Sequence, residues 1–470
     1  MNSNFFNNNI DSDKLNHECG VFGIYDLDGE DVSGSIYYGL YGLQHRGQEG
    51  CGIAVSDTNG PLGAIRSHKG MGLMSEVFTE ESLEKLSGNI GVGHVRYSVE
   101  QKKVIENVQP LVLHYAKGTL CLGLNGSLLN HDELKHELAY TGAIFQTSID
   151  TEIIGYVIAR ERLKAKSIEE AVQSTMKKIV GAYSIVMMSP RKLIGVRDPY
   201  GVHPLVIGKR DNTYVIASET SALDAIGAKL VRDVEPGEIV SIDKDGIHSD
   251  KSLVQEKKAR CIFEYIYFAR ADSKIDNISV YNSRIMAGKL LAKAHPVDAD
   301  LVVGVPDSGK AAAVGYAQES GIEYGTAFIK NSYVGRTFIK PKQSMRESSV
   351  RIKLNVLKDK VEGKRIVMID DSIVRGTTSG IIVKALKEAG ATQVHVRVSS
   401  PPFLHPCYYG TDVPSGDQLI AHNNSIEGIR KIIGADSLGY LDIEHLSSII
   451  NGETGYCDAC FTGNYPIEQA

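Results

Sequence analysis

The chain has 470 residues, of which 42% are hydrophobic and 23% charged, and its formal net charge is -6. This length predicts two or three domains, and the composition is that of an ordinary globular protein. The acidic balance argues against a general nucleic-acid-binding role, and no apolar run approaches the roughly 18 residues of a membrane span. Residues 1–18 lack the basic start and apolar core of a secretory signal. We therefore expect a cytoplasmic protein without a membrane partner, whose first 18 residues are a pro-segment or a tail.

Cys19 stands between this polar, Asn-rich leader and an apolar run that predicts a buried strand. Removal of the leader would make Cys19 the N-terminal residue, with a thiol and a free α-amino group on the same residue. An α-amine has a pKa of about 7.7–8.0, which suits a general base near neutral pH. Cys19 is therefore a candidate N-terminal nucleophile. The alternative is a small buried residue at the start of a strand.

The first 240 residues alternate short strands with helical stretches. The strands are predicted at 21–25, 52–55, 89–96, 119–124, 182–188, 193–197 and 214–218. The helices are predicted at 36–46, 131–141, 150–164 and 168–178. This grouping predicts two antiparallel sheets with helices packed on them.

The second half changes character. Residues 300–305 and 365–369 are apolar runs that predict parallel strands buried on both faces, and helical patterns follow at 311–320 and 379–389. This rhythm is typical of a doubly wound α/β domain that binds ligands at the carboxyl ends of its strands. The basic segment 332–355 reads as a long loop, and such loops are often active-site lids. We expect the tail, 423–470, to be helical.

Two carboxylates and a hydroxyl-rich loop follow the second of these strands. Backbone N–H groups in such a loop, at the start of a helix, would bind a phosphate, and the carboxylates would accept hydrogen bonds from ribose hydroxyls. The order therefore predicts a ribose 5-phosphate site, although a turn with an N-cap is a structural alternative. The predicted binding residues are Asp370, Asp371, Ser372, Arg375, Gly376, Thr377, Thr378 and Ser379.

This stretch resembles the binding motif of type I phosphoribosyltransferases, which use 5-phosphoribosyl 1-pyrophosphate (PRPP) with Mg²⁺. The loop after the first apolar strand resembles their pyrophosphate loop, and 333–340 resembles the lid that closes over pyrophosphate, a solvated basic loop being the alternative. The resemblance adds Asp307, Ser308, Gly309 and Lys340 to the PRPP site. It places Mg²⁺ at Ser308, Asp370 and Asp371.

The N-terminal half resembles the class II glutamine amidotransferase domain, an N-terminal-nucleophile hydrolase fold. The matching stretches are 19–24, 43–49, 93–97, 125–126 and 148–152. Together the two halves resemble the glutamine phosphoribosylpyrophosphate amidotransferase family, which performs the first committed step of purine synthesis. The resemblance implies a propeptide at 1–18, the glutamine domain at 19–245, the phosphoribosyltransferase domain at 246–420 and a tail of C-terminal helices and cluster ligands at 421–470.

The resemblance also assigns roles to residues. Cys19 attacks the glutamine amide, Asn125 and the backbone N–H of Gly126 form the oxyanion hole, and the released ammonia passes inside the protein to the ribose C1. Singly, Asn125-Gly126 could be a hairpin turn. The implied catalytic residues are Cys19, Arg46, Gly47, Asn125 and Gly126. The implied glutamine-binding residues are Arg96 for the α-carboxylate, its neighbour Tyr97, and Asp150 for the α-ammonium.

The cysteines lack the spacing of a disulfide framework. Cys457 and Cys460 form a C-x-x-C pair that Cys261 and Cys407 would complete to four ligands. Four thiolates suit either Zn²⁺ or a [4Fe–4S] cluster, and spacing does not choose between them. The cluster-bearing branch of the resembled family has cysteines in these contexts, which implies one [4Fe–4S] cluster here.

The chain departs from the family pattern mostly near the glutamine side. Val99, Glu100 and Gln101 stand where Thr and small residues are usual, and Ser127, His203 and Ser332 replace Asn, Arg and Arg. We hypothesise weakened glutamine use with ribosyl transfer retained, which makes an ammonia-dependent transferase the alternative function. A non-catalytic PRPP-binding regulator is the other alternative, disfavoured by the acidic charge and the lack of a DNA-binding motif. The family further implies a homotetramer with purine-nucleotide feedback inhibitors.

Overall fold

The computed structural model describes residues 19–61, 63–97, 104–331, 354–411, 413 and 415–468. The expected propeptide, the altered stretch around Val99, Glu100 and Gln101, and the expected lid with Lys340 lie outside the described residues. In the part that the structure describes, no helix has the length and apolar character needed to cross a membrane.

Two antiparallel sheets are formed by strands that lie between residues 20 and 250. Their strands are β1 (Gly20–Asp26), β2 (Gly50–Ser56), β3 (Ile65–Met71), β4 (Ile90–Arg96), β5 (Leu111–Tyr115), β6 (Gly118–Leu128), β7 (Gly181–Ser189), β8 (Lys192–Arg197), β9 (Val206–Arg210), β10 (Thr213–Ala217), β11 (Lys229–Asp233), β12 (Ile239–Asp243) and β13 (Gly246–Asp250). One sheet has the order β11-β9-β10-β1-β4-β2-β3 and the other β13-β12-β8-β7-β6-β5. The two predicted antiparallel sheets are confirmed.

Helices cover the outer face of each sheet. They are α1 (Ser33–Gly42), α2 (Met74–Val77), α3 (Glu80–Glu84), α4 (His131–Tyr140), α5 (Asp150–Arg162), α6 (Ile168–Met176) and α7 (Thr220–Ala225), with a 3₁₀ turn at Ile105–Asn107. Ile36 and Leu40 of α1 pack on the first sheet, and α4–α6 pack on the second. Val92 and Val186 meet in an apolar layer between the sheets. The result is four layers, helix–sheet–sheet–helix, which buries β1, β4, β6 and β7 almost completely.

The strands of the second half are β14 (Arg260–Cys261), β15 (Lys274–Ile275), β16 (Ile278–Ser279), β17 (Leu301–Gly304), β18 (Phe328–Lys330), β19 (Leu354–Val356), β20 (Arg365–Asp370), β21 (Gln393–Val398), β22 (Ser437–Tyr440) and β23 (Tyr456–Cys457). Four of them form a parallel sheet of the order β17-β20-β21-β22. Alternate residues of β20 face opposite apolar cores: Val367 and Ile369 face one, Ile366 and Met368 the other. The predicted buried parallel strands are therefore confirmed.

The helices of the second half flank this sheet. They are α8 (Val280–Ala294), α9 (Gly309–Ser320), α10 (Lys358–Val361), α11 (Thr377–Glu388), α12 (Ile420–Asn423), α13 (Ile426–Ile433), α14 (Leu446–Ile449) and α15 (Ala459–Thr462), with a π-helix at Glu264–Phe268 and 3₁₀ turns at Gly416–Gln418 and Ile443–His445. The expectation of a helical tail is wrong in part, because β22 extends the parallel sheet beside β21 and β23 pairs with β14.

Candidate functional site

Cys19 lies at the start of β1, beside the end of β4. Gly20 pairs with Val95 of β4, and the half-buried Cys19 Sγ donates a 3.4 Å hydrogen bond to the carbonyl oxygen of Tyr97. The register therefore brings the predicted nucleophile together with two predicted glutamine-binding residues, Arg96 and Tyr97.

The loop between α1 and β2 packs against the end of β4. A Cβ on Gly47 would stand 2.5 Å from the carbonyl carbon of Val95 and 2.6 Å from the backbone nitrogen of Arg96. Such distances exclude any side chain without movement of β4, so only glycine fits here. The preceding Arg46 is fully buried, and its Cβ would lie 3.5 Å from a Cβ built on Gly20, so both predicted residues of this loop lie beside β1 or β4.

Asn125 and Gly126 lie in β6, paired with Ser184 and Tyr183 of β7. Asn125 is 0% exposed, and neither atom of its side-chain amide has a hydrogen-bond partner within the described part of the chain. A buried polar group left unpaired costs about 1–3 kcal/mol, and such a group calls for an explanation. Gly126 has φ +130°, and a Cβ there would overlap the carbonyl oxygen of Ala182.

Two side chains tie this strand to its neighbours. His94 of β4 donates through Nε2 to the carbonyl of Leu124 at 3.0 Å, and burial lowers the pKa of His94 to about 3, so the ring is neutral. Gln109 Oε1 accepts from the backbone N–H of Leu124 at 2.8 Å and from the Thr151 hydroxyl at 2.9 Å. These contacts fix Asn125 relative to β4 on one side and α5 on the other.

Asp150, the first residue of α5, is held on both oxygens. Its Oδ2 accepts from the backbone N–H of Leu128 at 2.9 Å and from the Ser127 hydroxyl at 3.2 Å. Its Oδ1 accepts from Nδ1 of His131. That hydrogen bond raises the pKa of His131. The sequence did not single out His131, because a histidine at the start of a surface helix carries no recognisable pattern.

A buried network of ion pairs links Arg46 to the second half of the chain. Arg46 pairs through Nε with Glu219 and through Nη2 with Glu264, and all three side chains are at most 2% exposed. Glu219 also accepts from His45 at 2.7 Å and from the Ser273 hydroxyl at 2.7 Å. Burial alone would raise the pKa of Glu219, but His45 and Arg46 hold this pKa well below its usual range.

Arg284 of α8 is a second buried cation beside the π-helix that contains Glu264. Its guanidinium donates to the carbonyls of Tyr265 at 3.1 Å, Tyr267 at 2.9 Å and Ala269 at 2.6 Å, around the π-helix that begins at Glu264. Burial lowers the pKa of Arg284, and the negative charge of Asp371 opposes this shift. The sequence alone did not predict these buried contacts, because Arg46, Glu264 and Arg284 are far apart along the chain.

Asp370 and Asp371 lie at the end of β20, as predicted, and are at most 1% exposed. Asp371 accepts from the hydroxyl of Ser308 and, at 2.6 Å, from that of Ser372. The backbone N–H of Val305 bonds to the carbonyl of Ile369 at 2.8 Å. The two predicted loops, 305–310 and 370–379, therefore meet at the carboxyl edge of the sheet.

The predicted phosphate loop leads directly into α11. Gly376 caps the helix with φ +83°, which only glycine adopts readily, and the Ser379 side chain is buried in the first turn. Arg375 Nη2 donates to Oε1 of Gln418 at 3.0 Å. A cavity of about 220 Å³ opens here, lined in part by Arg375, Gly376 and Thr377.

The four predicted cluster cysteines line one apolar cavity. Cys261 and Cys457 are partners in the parallel β14–β23 pair, and the cavity wall includes Cys261, Cys407, Cys457, Cys460, Phe263, Phe403 and Tyr465. Burial, together with the neighbouring Cys407 and Cys457, raises the pKa of Cys460 well above its usual value. Three or more His, Cys, Asp or Glu side chains close enough to hold one metal ion occur nowhere in the described ranges.

The cavity adjoins the strand of the predicted oxyanion hole. Tyr409 accepts a 2.7 Å hydrogen bond at its carbonyl from Nε2 of His203, and its N–H donates to Cys407 Sγ at 3.4 Å. A Cβ on Gly410 would stand 3.1 Å from Cα of Gly126. His203, one of the departures from the family pattern, therefore joins the two halves of the chain.

This chain is similar to known proteins along nearly its whole length. A sequence model described as a glutamine amidotransferase domain matches residues 94–225. The amidophosphoribosyltransferase of Methanocaldococcus jannaschii is 48% identical over 466 residues, covering 96% of this chain and 98% of that protein. The Bacillus subtilis amidophosphoribosyltransferase is 47% identical over 460 residues, covering 97% and 95%.

A solved structure is also similar to this chain over both of its halves. The glutamine phosphoribosylpyrophosphate amidotransferase of B. subtilis, complexed with ADP and GMP, matches with a TM-score of 0.89 at 46% identity, covering 96% of this chain and 98% of that one. Identity at this level over both halves extends the resemblance from separate motifs to the complete fold. The chain is an enzyme that belongs to the amidophosphoribosyltransferase family.

Proposed function

We propose that the chain transfers the amide nitrogen of glutamine to PRPP, giving 5-phosphoribosylamine, glutamate and pyrophosphate. The observation that carries this proposal is the buried link between the two sites. Arg46, next to the nucleophile region, contacts Glu264, and the buried Arg284 donates to the carbonyl of Tyr265 in the same π-helix, where the charge of Asp371 favours its charged form. A glutaminase and a transferase that share an intermediate need such a rigid connection.

In the first half-reaction the Cys19 thiolate attacks the side-chain carbonyl of glutamine. The α-amine of a processed Cys19 takes the thiol proton and returns it to the leaving ammonia. Oxyanion charge on the tetrahedral intermediate is stabilised by the Asn125 amide and the Gly126 N–H, and water then releases glutamate. The Asn125 amide supports this role, because it is a buried donor without a partner among the residues that the structure describes.

Substrate glutamine is oriented by charge. The Arg96 guanidinium, with its neighbour Tyr97, binds the α-carboxylate, for which a planar fork of donors is well suited. Asp150 binds the α-ammonium. Arg46 and Gly47 shape the floor beneath the nucleophile, since the glycine allows this loop to contact the backbone of β4.

In the second half-reaction ammonia attacks C1 of the ribose, and the C1–oxygen bond to pyrophosphate breaks. Asp370 and Asp371 bind the ribose hydroxyls, and the loop from Ser372 through Arg375 to Ser379 binds the 5-phosphate at the start of α11. Asp307, Ser308 and Gly309 contact pyrophosphate, with Lys340 as a further predicted ligand. Mg²⁺ typically uses one or two carboxylates plus substrate phosphates. Asp370, Asp371 and Ser308 would hold it, and it would neutralise the leaving pyrophosphate.

We assign the cysteine cavity to a [4Fe–4S] cluster rather than to a single zinc ion. Zinc draws sulfur ligands to about 2.3 Å, whereas a four-iron cube keeps its ligands farther apart. Four cysteines share the cavity wall, which supports a group held by four thiolates. Cys261, Cys407, Cys457 and Cys460 would hold the cluster, which would cross-link β14, β23 and the loop at Tyr409.

The remaining features of the proposal concern maturation and regulation. We place the mature N-terminus at Cys19, with residues 1–18 removed. The B. subtilis relative was solved with ADP and GMP, so we propose purine-nucleotide feedback here, in a homotetramer. Mass spectrometry of the active enzyme tests the N-terminus, light scattering tests the tetramer, and retention of Met1 would contradict the processing step.

Parallel assays with glutamine and with ammonium salts test the function. Purified enzyme with PRPP and Mg²⁺ should release pyrophosphate with either nitrogen source, and Cys19→Ala should retain only the ammonia reaction. Full activity of Cys19→Ala with glutamine would contradict the mechanism. Iron and sulfide analysis of Cys457→Ser against the parent tests the cluster, with Cys51→Ser as the matched control because Cys51 lies outside the cavity.

A further inference from the structure

His131 faces the carboxylate that the proposed function assigns to the glutamine ammonium. Its Nδ1 donates to Oδ1 of Asp150, and the two side chains are 26% and 13% exposed. Leu128 N–H and the Ser127 hydroxyl occupy the other oxygen of Asp150. A substrate ammonium therefore has to bind Oδ1 of Asp150, the oxygen that His131 already contacts.

We propose that His131 is a positioning residue that competes, when protonated, with the glutamine α-ammonium for Asp150, and so makes glutamine affinity depend on pH. This inference rests on the proposed function. A positive imidazolium against Asp150 neutralises the charge that would attract the substrate. A neutral imidazole still donates one hydrogen bond and leaves the carboxylate negative, which allows the ammonium to bind.

The charges around His131 favour its protonated form. The largest effect is the hydrogen bond to Asp150 at the start of α5, which raises the pKa of His131 above its usual value. Asp132 of α4 acts in the same direction, and burial and Lys135 of α4 oppose it. The competing state is populated at low pH and is lost as the pH rises through this raised pKa. Glutamine binding should therefore tighten with rising pH and release a proton from His131.

The direct test is the glutamine KM between pH 6 and pH 9 for the parent and for His131→Gln. The parent KM should fall with rising pH by roughly fivefold, the upper range for a partly exposed ion pair. In His131→Gln the part of this dependence that His131 causes should be absent, whereas the Cys19 α-amine, with a pKa of about 7.7–8.0, affects the parent and the variant alike. The matched control is His136→Gln, because His136 lies on the same helix with its ring against Tyr140. It should keep the parent profile.

Proton release on binding is the second readout, with L-glutamate as an unreactive probe carrying the same α-ammonium. Calorimetry in two buffers of different ionisation enthalpy should give proton release for the parent and for His136→Gln, and none for His131→Gln. A His131→Gln profile parallel to that of the parent would overturn the proposal. So would a KM raised equally at every pH, since that result means that His131 only supports Asp150.

One further variant separates this inference from the proposed function. If Asp150→Asn binds glutamine as the parent does, the assignment of Asp150 itself is wrong. If Asp150→Asn loses glutamine affinity while His131→Gln keeps the pH profile, only the role of His131 fails. The ammonia-dependent activity of each variant, which uses neither residue, reports whether the fold is intact.

Discussion

Replacement of Asn125 by alanine should separate catalysis from stability. Asn125 is fully buried, and its amide atoms find no partner in the described part of the molecule. As an oxyanion donor it should contribute about 10²–10³ in kcat, or roughly 3–4 kcal/mol of transition-state stabilisation. As a buried unpaired group it costs about 1–3 kcal/mol in the free enzyme. Loss of that cost offsets the cavity left by truncation, so stability should change by less than about 1 kcal/mol.

Asn89 provides the matched control. It is 4% exposed, but its Nδ2 donates to the carbonyl of Asp26 at 2.9 Å and its Oδ1 accepts from the backbone N–H of Thr58 at 2.9 Å. Asn89→Ala should therefore lose about 2–3 kcal/mol of stability because it leaves these groups unpaired. Its glutaminase kcat should stay close to that of the parent.

Glutaminase rates and urea unfolding of both variants provide the assay, with ammonia-dependent pyrophosphate release as the measure of an intact transferase. The reasoning is refuted if Asn125→Ala keeps its glutaminase kcat within about threefold. It is equally refuted if Asn125→Ala is destabilised as much as Asn89→Ala.

Three further outcomes follow from the buried contacts. Glu264→Gln should keep a hydrogen bond to Arg46 but lose the charge pair, so that glutamate forms in excess over pyrophosphate; a ratio that stays at one in a two-product assay contradicts the link. Ser308→Ala should raise the PRPP KM about tenfold with glutamine and with ammonia alike, since Asp371 loses a hydroxyl donor; an effect on glutamine alone would exclude this explanation. His94 has a pKa of about 3 in the fold against about 6.5 unfolded, so its contribution to stability is complete above about pH 6.5 and is lost as the pH falls toward 3. His94→Asn should flatten urea stability between pH 7 and pH 5, and an unchanged slope would show that His94 is not buried neutral.

Local patterns predicted the parts of the site that lie within one segment. The stretch from β20 through Asp370 to α11 reads as strand, acids, loop and helix because each signal depends on neighbouring residues. The same holds for the start of β1 after Cys19. The four cysteines needed the resemblance, since spacing alone left zinc and iron–sulfur open, and the cavity then placed all four together.

Long-range partners were beyond the sequence. Arg46 and Glu264 are 218 residues apart, and their pairing depends on how the two halves pack. β22 was missed for a related reason, because four residues, Ser437–Tyr440, become a strand only through pairing with β21. His131 was missed because its role is defined by Asp150, which reaches it from a different helix.

Product stoichiometry tests the central claim, that one chain hydrolyses glutamine at Cys19 and delivers the nitrogen to PRPP. Glutamate and pyrophosphate should be measured together in the presence of glutamine, PRPP and Mg²⁺. We predict that they form in a one-to-one ratio, and that Cys19→Ala forms pyrophosphate only when ammonium salt is added. Pyrophosphate release that ignores glutamine, or glutamate release that persists in Cys19→Ala, would contradict the account.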